Sequence, residues 1–415
     1  MKNCVRAFAL IVGLALAGCR GTEEKPRSVP VGVEFDPKIV RLGVTGDNWC
    51  QTWGAEGAIY TSMCDGVGWT PGDFYSPHAM NNAVYRIEGG PDPETFRASK
   101  LEGAPDYSRT ALPAGYADYM EEGRGRKWLE AWRWYAYGIV SIDGNLYQFI
   151  SHPKEPNAFG WFDGCQLIWR PKGETSWKRW NGTDAGDEDR WFAGRGGNQL
   201  FFHNEPDYAF SFITIAQFGQ DYRENTDGYV YLYAPNGPRK VHELNLARVR
   251  KQEMLDRSQY EYFVRRKEDG TAEWTKDIKA RGAVHRFPEG WGWYSWSPSV
   301  VWNKDLGLFI MAAAGTQRPG TGDPLEKYMH YETGSLVMAW AEKPWGPWRQ
   351  FHWDETWDNG DPKNRFYEAQ LSPKWIFDEG RTMYLIFSDA GENYSTDHYK
   401  WNMQKITLAL AHRER

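Results

Sequence analysis

The sequence predicts an all-β fold, a five-bladed propeller closed by an N-terminal strand. Three observations carry this. Five segments repeat one pattern of aromatic or polar entry, apolar strand, tight turn and second apolar strand. Aromatic spacing recurs at corresponding places in two of the units. Helical periodicity is scarce, confined to 118–134 and 247–257.

The five hairpins are 47–65 (DNWCQTWGAEGAIYTSMCD), 135–151 (YAYGIVSIDGNLYQFIS), 210–233 (FSFITIAQFGQDYRENTDGYVYLY), 297–314 (SPSVVWNKDLGLFIMAAA) and 371–388 (LSPKWIFDEGRTMYLIFS). Their strands are β-branched or aromatic, and Asp143-Gly144 and Glu379-Gly380 suit hairpin turns because glycine tolerates positive φ. A second strand pair should follow each hairpin, as at 83–88 with 95–100 and 242–249 with 260–264. Trp169, Trp177 and Trp180 have the same spacing as Trp340, Trp348 and Phe351, which marks one repeated unit. Strand 403–411 completes the last blade, and 38–44 should pair beside it and hide a sheet edge. A seven-bladed ring is the alternative if two divergent blades have been merged.

The first residues address compartment. Lys2 and Arg6 precede an apolar run at 7–17, and Leu16-Ala17-Gly18-Cys19 follows. This is a signal-peptide pattern, too short to span a bilayer. It resembles a bacterial lipoprotein signal, which implies acylation of Cys19 and export to a membrane face. Residues 1–19 are read as signal, 20–37 as a polar tether and 38–415 as the propeller.

Net charge is −6, which argues against nucleic acid as a partner. A monomer is expected, held to a membrane by its lipid and meeting a polysaccharide. Aromatic residues make up 16%, with 23 Trp, 23 Tyr and 20 Phe. Such rings suit both blade packing and the apolar faces of sugars. Cys50 and Cys64 lie on two strands of one hairpin, which leaves a disulfide open. There is no CxxC pair and no HExxH, so no cofactor is implied. Acidic runs at 184–189 (DAGDED) and 358–361 (DNGD) raise calcium without full EF-hand spacing.

In a four-stranded blade the innermost strand begins at one face of the channel, and the loop joining strands two and three returns there. Entries near Asp47, Arg133, Asp207, Trp296 and Glu368 therefore share a rim with loops 65–82, 152–164, 235–241, 315–334 and 389–400. Hydrolysis of a glycosidic bond needs one carboxylic acid to protonate the leaving oxygen and one carboxylate to activate water or attack. Asp47, Glu205 and Glu368 precede or begin inner strands and are the candidates. Trp69, Trp161 and Trp296 are candidate sugar platforms, with Arg133, Tyr135 and His152 as further substrate contacts. A second chemistry, β-elimination from a uronate polymer, needs a carboxylate neutraliser, a base and a proton donor. His152, His203, Tyr229 and Arg248, with Arg133 and Tyr135, are the residues for that reading. His78 is another rim histidine. A non-catalytic glycan-binding propeller is the third possibility.

The strings DNWCQTW…TSMCDG, NTDGYVYLYAPNG, LNLARVRKQEMLDRSQYEYF and WSPSVVWN resemble a bacterial family of secreted propellers known as domain of unknown function 4185. That family includes endo-D-arabinanases, and related propellers include ulvan lyases. The resemblance runs from about 47 to about 387 and implies a polysaccharide-directed site at the channel mouth. It is less specific for substrate, since one fold hosts many chemistries. The insertion 182–197 (GTDAGDEDRWFAGRGG) departs from the pattern as a rim loop that shapes the cleft.

Overall fold

A computed structural model of the chain describes residues 28–74, 76, 79–105, 107–108, 134–153, 162–185, 200–237, 240, 242–288, 295–315, 334–391 and 395–413. Five antiparallel sheets follow one another around a ring, so the five-bladed expectation holds and the seven-bladed one does not.

Blade 1 places Thr45–Asp47 and Gln51–Trp53 innermost, followed outward by Ile59–Gly68, Met80–Glu88 and Arg97–Lys100. Blade 2 runs from Tyr135–Ile142 through Asn145–Pro153 and Phe162–Arg170 to Lys178–Arg179. Blade 3 runs from Thr214–Ile215 through Tyr229–Pro235, Glu243–Arg250 and Glu261–Arg266 to Ala272–Thr275. Blade 4 is Ser299–Asn303, Leu308–Gly315, Ser335–Ala341 and Arg349–Asp354. Blade 5 is Phe366–Phe377, Thr382–Asp389 and Trp401–His412, with Ser28–Leu42 as its outermost strand.

Two expectations need correction. The closing strand begins at Ser28, with Ser28 opposite His412 and Leu42 opposite Trp401, so 28–37 is strand and not tether. Pro30 is tolerated because the strand is an edge and shifts register between Pro30 and Gly32. Residues 247–257 are not helical either. Glu243–Arg250 is a strand paired on both sides, and Lys251–Glu253 is only a 3₁₀ turn. Leu244, Asn245, Leu246 and Ala247 are consecutive and all buried, so the segment is covered on both faces as a central strand and lacks the one-sided stripe of a surface helix. The other predicted helix, 118–134, falls almost wholly outside the described residues.

The repeated aromatics occupy equivalent positions. Trp177 and Trp348 are both buried, just before the outermost strands of blades 2 and 4. Larger aromatics wedge the closure between blades 1 and 5. Trp49 and Trp401 meet edge to face at 5.4 Å, and Phe96 and Trp375 pack beside them. Along the axis, inner strands bond directly to their neighbours. Gly138 N–H donates to Ile213 O at 2.9 Å, Gln217 N–H to Val300 O at 2.9 Å, and Leu371 N–H to Ser299 Oγ at 2.9 Å. What remains of the channel is a narrow space lined by residues that include Gln51, Gln217 and Gln370.

Candidate functional site

The site end of the ring is where the inner strands begin. Blade 1 enters through Gly46, whose φ is +149° and whose missing Cβ would lie within 2.9 Å of Met63 and Trp49. Only glycine fits this squeeze, and it delivers Asp47 to the axis. Asp47 lies opposite Cys64, and the next residue of that strand is Asp65. Glu368 arrives from the far end of the chain, at the start of the inner strand of blade 5.

Asp47 and Glu368 are 7% and 4% exposed, so these acids are enclosed and do not face an open, water-filled channel. Tyr367 and Tyr399 each donate a hydroxyl hydrogen to Asp47 Oδ2, at 3.0 and 2.8 Å. Oδ1 of Asp47 is buried and makes no hydrogen bond among the described residues. The backbone N–H of Asn48 donates to Glu368 Oε2 at 2.9 Å, and Trp296 Nε1–H donates to Oε1 at 3.3 Å. Asn48 thus ties the two acids together.

Burial is the main force on both carboxyls. It pushes Asp47 well above the usual aspartate range, and the charges of Glu368 and Asp65 push the same way, while the two tyrosine hydroxyls oppose them. Glu368 is pushed up to about 8, again first by burial, with bonds from Asn48 and Trp296 pulling it back. Two such acids titrate as a pair, and burial of both favours retention of a proton near neutral pH.

The backbone is bent to make this arrangement. Asn48, Asp65 and Glu368 have φ of 55°, 48° and 54°. Asp65 and Glu368 lie inside strands, at register shifts, not in turns. Bulges of this kind re-aim side chains, and each left-handed non-glycine residue costs on the order of 1 kcal/mol.

Asp65 was missed in the sequence. It is half-buried, accepts from Asn81 Nδ2 at 2.6 Å, and raises both catalytic candidates electrostatically. Its signal was available only through the register of 45–47 against 59–68, which the irregular stretch 48–50 hides.

Trp296 and Tyr135 are at the mouth. Trp296 is buried 4.4 Å from Phe212, and Tyr135 packs 5.4 Å from Phe162. With Tyr137 they form an aromatic wall beside Glu368. Trp69 is not a platform. Its ring is engaged by Trp49, Tyr85, Phe96 and Trp401 at 4.9–5.9 Å, in the wedge between blades 1 and 5.

Glu205 does not join the acid pair. It accepts from Arg257 Nη2 at 2.7 Å, and that guanidinium stacks 4.1 Å over Phe202. The elimination set is dispersed. Arg248 binds Glu261 at 2.8 Å and lies 4.2 Å over both Tyr229 and Trp274, within blade 3. His203 sits beside Asn204, 3.1 Å from its Nδ2. Arg133, Trp161, His78, residues 1–27 with Cys19, most of the 182–197 insertion and the side chain of His152 lie outside the described residues.

Cys50, Cys64 and Cys165 are free thiols. Register explains the first two, since Cys64 faces Asp47 while Cys50 O accepts from Ser62 N–H. Burial and Glu368 push Cys50 up to about 12, which denies it the thiolate a nucleophile needs. Asp358 and Asp361 accept backbone N–H groups of their own turn, from Gly360 and Lys363. Among the described residues no three metal-ligating side chains converge, and no helix is long and apolar enough to cross a membrane.

No protein-family model matches the sequence, and no curated protein matches it. Solved structures do align with it. The catalytic domain of a GH62 α-L-arabinofuranosidase from Coprinopsis cinerea is 7% identical, with a TM-score of 0.47 over 92% of this chain and 98% of that one. A putative exo-β-1,3-galactanase from Bifidobacterium bifidum is 10% identical, at 0.44 over 90% and 97%. A xylan β-1,4-xylosidase from Bacillus halodurans is 11% identical, at 0.43 over 89% and 55%. The five-bladed ring itself rests on the sheet topology above.

Proposed function

We propose that the protein is a glycoside hydrolase that cleaves a polysaccharide at the site end of the propeller. One observation carries this reading: two buried carboxyls from opposite ends of the chain are tied through Asn48, and Glu368 is pushed up to about 8. At neutral pH Glu368 keeps a proton to give to the leaving glycosidic oxygen. Asp47, steadied by two tyrosine hydroxyls, is the base or nucleophile. Asp65 holds the pair's affinity for protons high. The wall of Tyr135, Phe162 and Trp296 would meet the apolar face of a sugar.

The test is product analysis on soluble arabinan, arabinoxylan, galactan and ulvan. The protein should release new reducing ends with no ultraviolet-absorbing double bond. Asp47→Asn should lower the rate by about a thousandfold or more with the fold intact. Unsaturated products would contradict the assignment by showing elimination. A wild-type protein that binds these polymers without cutting them would leave only the glycan-binding reading.

A further inference from the structure

The return loop of blade 5 holds a histidine–aspartate pair that the acid pair does not use. Asp389 ends the second strand of blade 5, and its side chain is fully buried. Four donors meet it. Oδ1 accepts backbone N–H groups of Arg365 at 2.8 Å and Gly391 at 2.9 Å. Oδ2 accepts from Arg41 Nη1 at 3.1 Å and from His398 Nδ1 at 2.9 Å. Arg41 is supplied by the closing strand and is itself held by Asn364 and Asn402. A carboxylate spent on four donors offers only lone pairs, so Nδ1 of His398 carries hydrogen, and in that tautomer Nε2 is the ring's acceptor.

The ring is also fixed sterically. Gly391 has φ +49°, and a Cβ there would come within 2.5 Å of His398 Cβ and 2.7 Å of Cγ. His398 is nonetheless 24% exposed while its partner Asp389 is not exposed at all, so the accessible edge is the one away from Nδ1. That edge belongs to the catalytic end: the next residue, Tyr399, donates to Asp47, and its carbonyl accepts from Gly46 N–H.

We propose that His398 is a substrate-positioning residue, its Nε2 accepting a hydrogen bond from a sugar hydroxyl at the mouth while Asp389 and Arg41 hold the ring. This rests on the polysaccharide reading of the same site and adds a specific contact to it.

His398→Asn separates this role from a structural one, because an Asn side-chain amide can still donate to Asp389 but has nothing at the Nε2 position. The polymer the wild type cleaves is the probe for kinetics, and affinity electrophoresis in gels containing the same four polysaccharides reads binding without turnover. We expect His398→Asn to melt like wild type, raise KM about tenfold and leave kcat within about twofold. His398→Gln, whose longer amide reaches toward the Nε2 position, should recover part of the loss. An unchanged KM and unchanged gel retardation in His398→Asn would overturn the proposal while leaving hydrolysis standing. If the wild type is retarded but cuts nothing, weaker retardation of the variant supports the contact and only the hydrolase reading fails. If no polymer retards or is cut by the wild type, both fail.

Discussion

Two charged, aromatic clusters of this propeller are built from similar side chains and differ in how their charges are met. On blade 3, Arg248 lies between the rings of Tyr229 and Trp274 and closes on Glu261, so the cation has an ion-pair partner and two π faces. At the mouth, Asp47 and Glu368 are buried together with Asp65 nearby; burial raises the affinity of both for protons, and the charges of Glu368 and Asp65 at Asp47 and of Asp65 at Glu368 add to it. Blade 3 shows ordinary stabilising chemistry. The mouth holds three acids on a strained backbone, the arrangement that the proposed acid–base role would use.

Breaking the mouth should therefore cost activity, and breaking blade 3 should cost stability. Tyr399→Phe removes one of the hydroxyls that favour ionised Asp47. It should lower kcat by about 10- to 100-fold and move the acid limb of the pH–rate profile upward, because Asp47 then holds its proton to higher pH. A pH series on the variant reads both effects. Arg248→Ala should leave kcat/KM within about twofold and destabilise the fold by about 1–2 kcal/mol in urea unfolding. A large loss of activity from Arg248→Ala, with the fold intact, would erase the contrast between the two clusters.

Much of the ring was legible in the sequence, and the reasons are local. Hairpins announce themselves by alternating strands and Asp-Gly or Glu-Gly turns, and the Trp169–Trp177–Trp180 spacing marks equivalent strand ends. The start of the closing strand was not legible, because prolines at 30 and 37 read as tether and only an edge position with a register shift accommodates them. In the site, Asp47 and Glu368 were legible as acids at inner-strand entries. Glu205 looked the same, and its fate depended on Arg257, a partner 52 residues away. Trp69 was misread for a similar reason, since Trp401 fills the space beside it from the last strand. Asp65 was hidden by a register shift no local pattern reports. Asp389 and His398 escaped notice because their third partner, Arg41, comes from the other end of the chain.

The central claim is that Glu368 is kept protonated by burial at the expense of stability. The sign follows from its raised affinity: between the ordinary value of 4.5 and about 8 the folded protein holds a proton that the unfolded chain releases. Stability contributed by that proton is therefore full at acid pH and is lost as pH rises through this window. Glu368→Gln has no proton to lose. The decisive measurement is urea unfolding of wild type and Glu368→Gln at about pH 5 and about pH 8. The wild type should weaken relative to the variant by roughly a few kcal/mol on going to pH 8, with Glu368→Gln the more stable protein there and inactive. The same pH dependence in both proteins would contradict it.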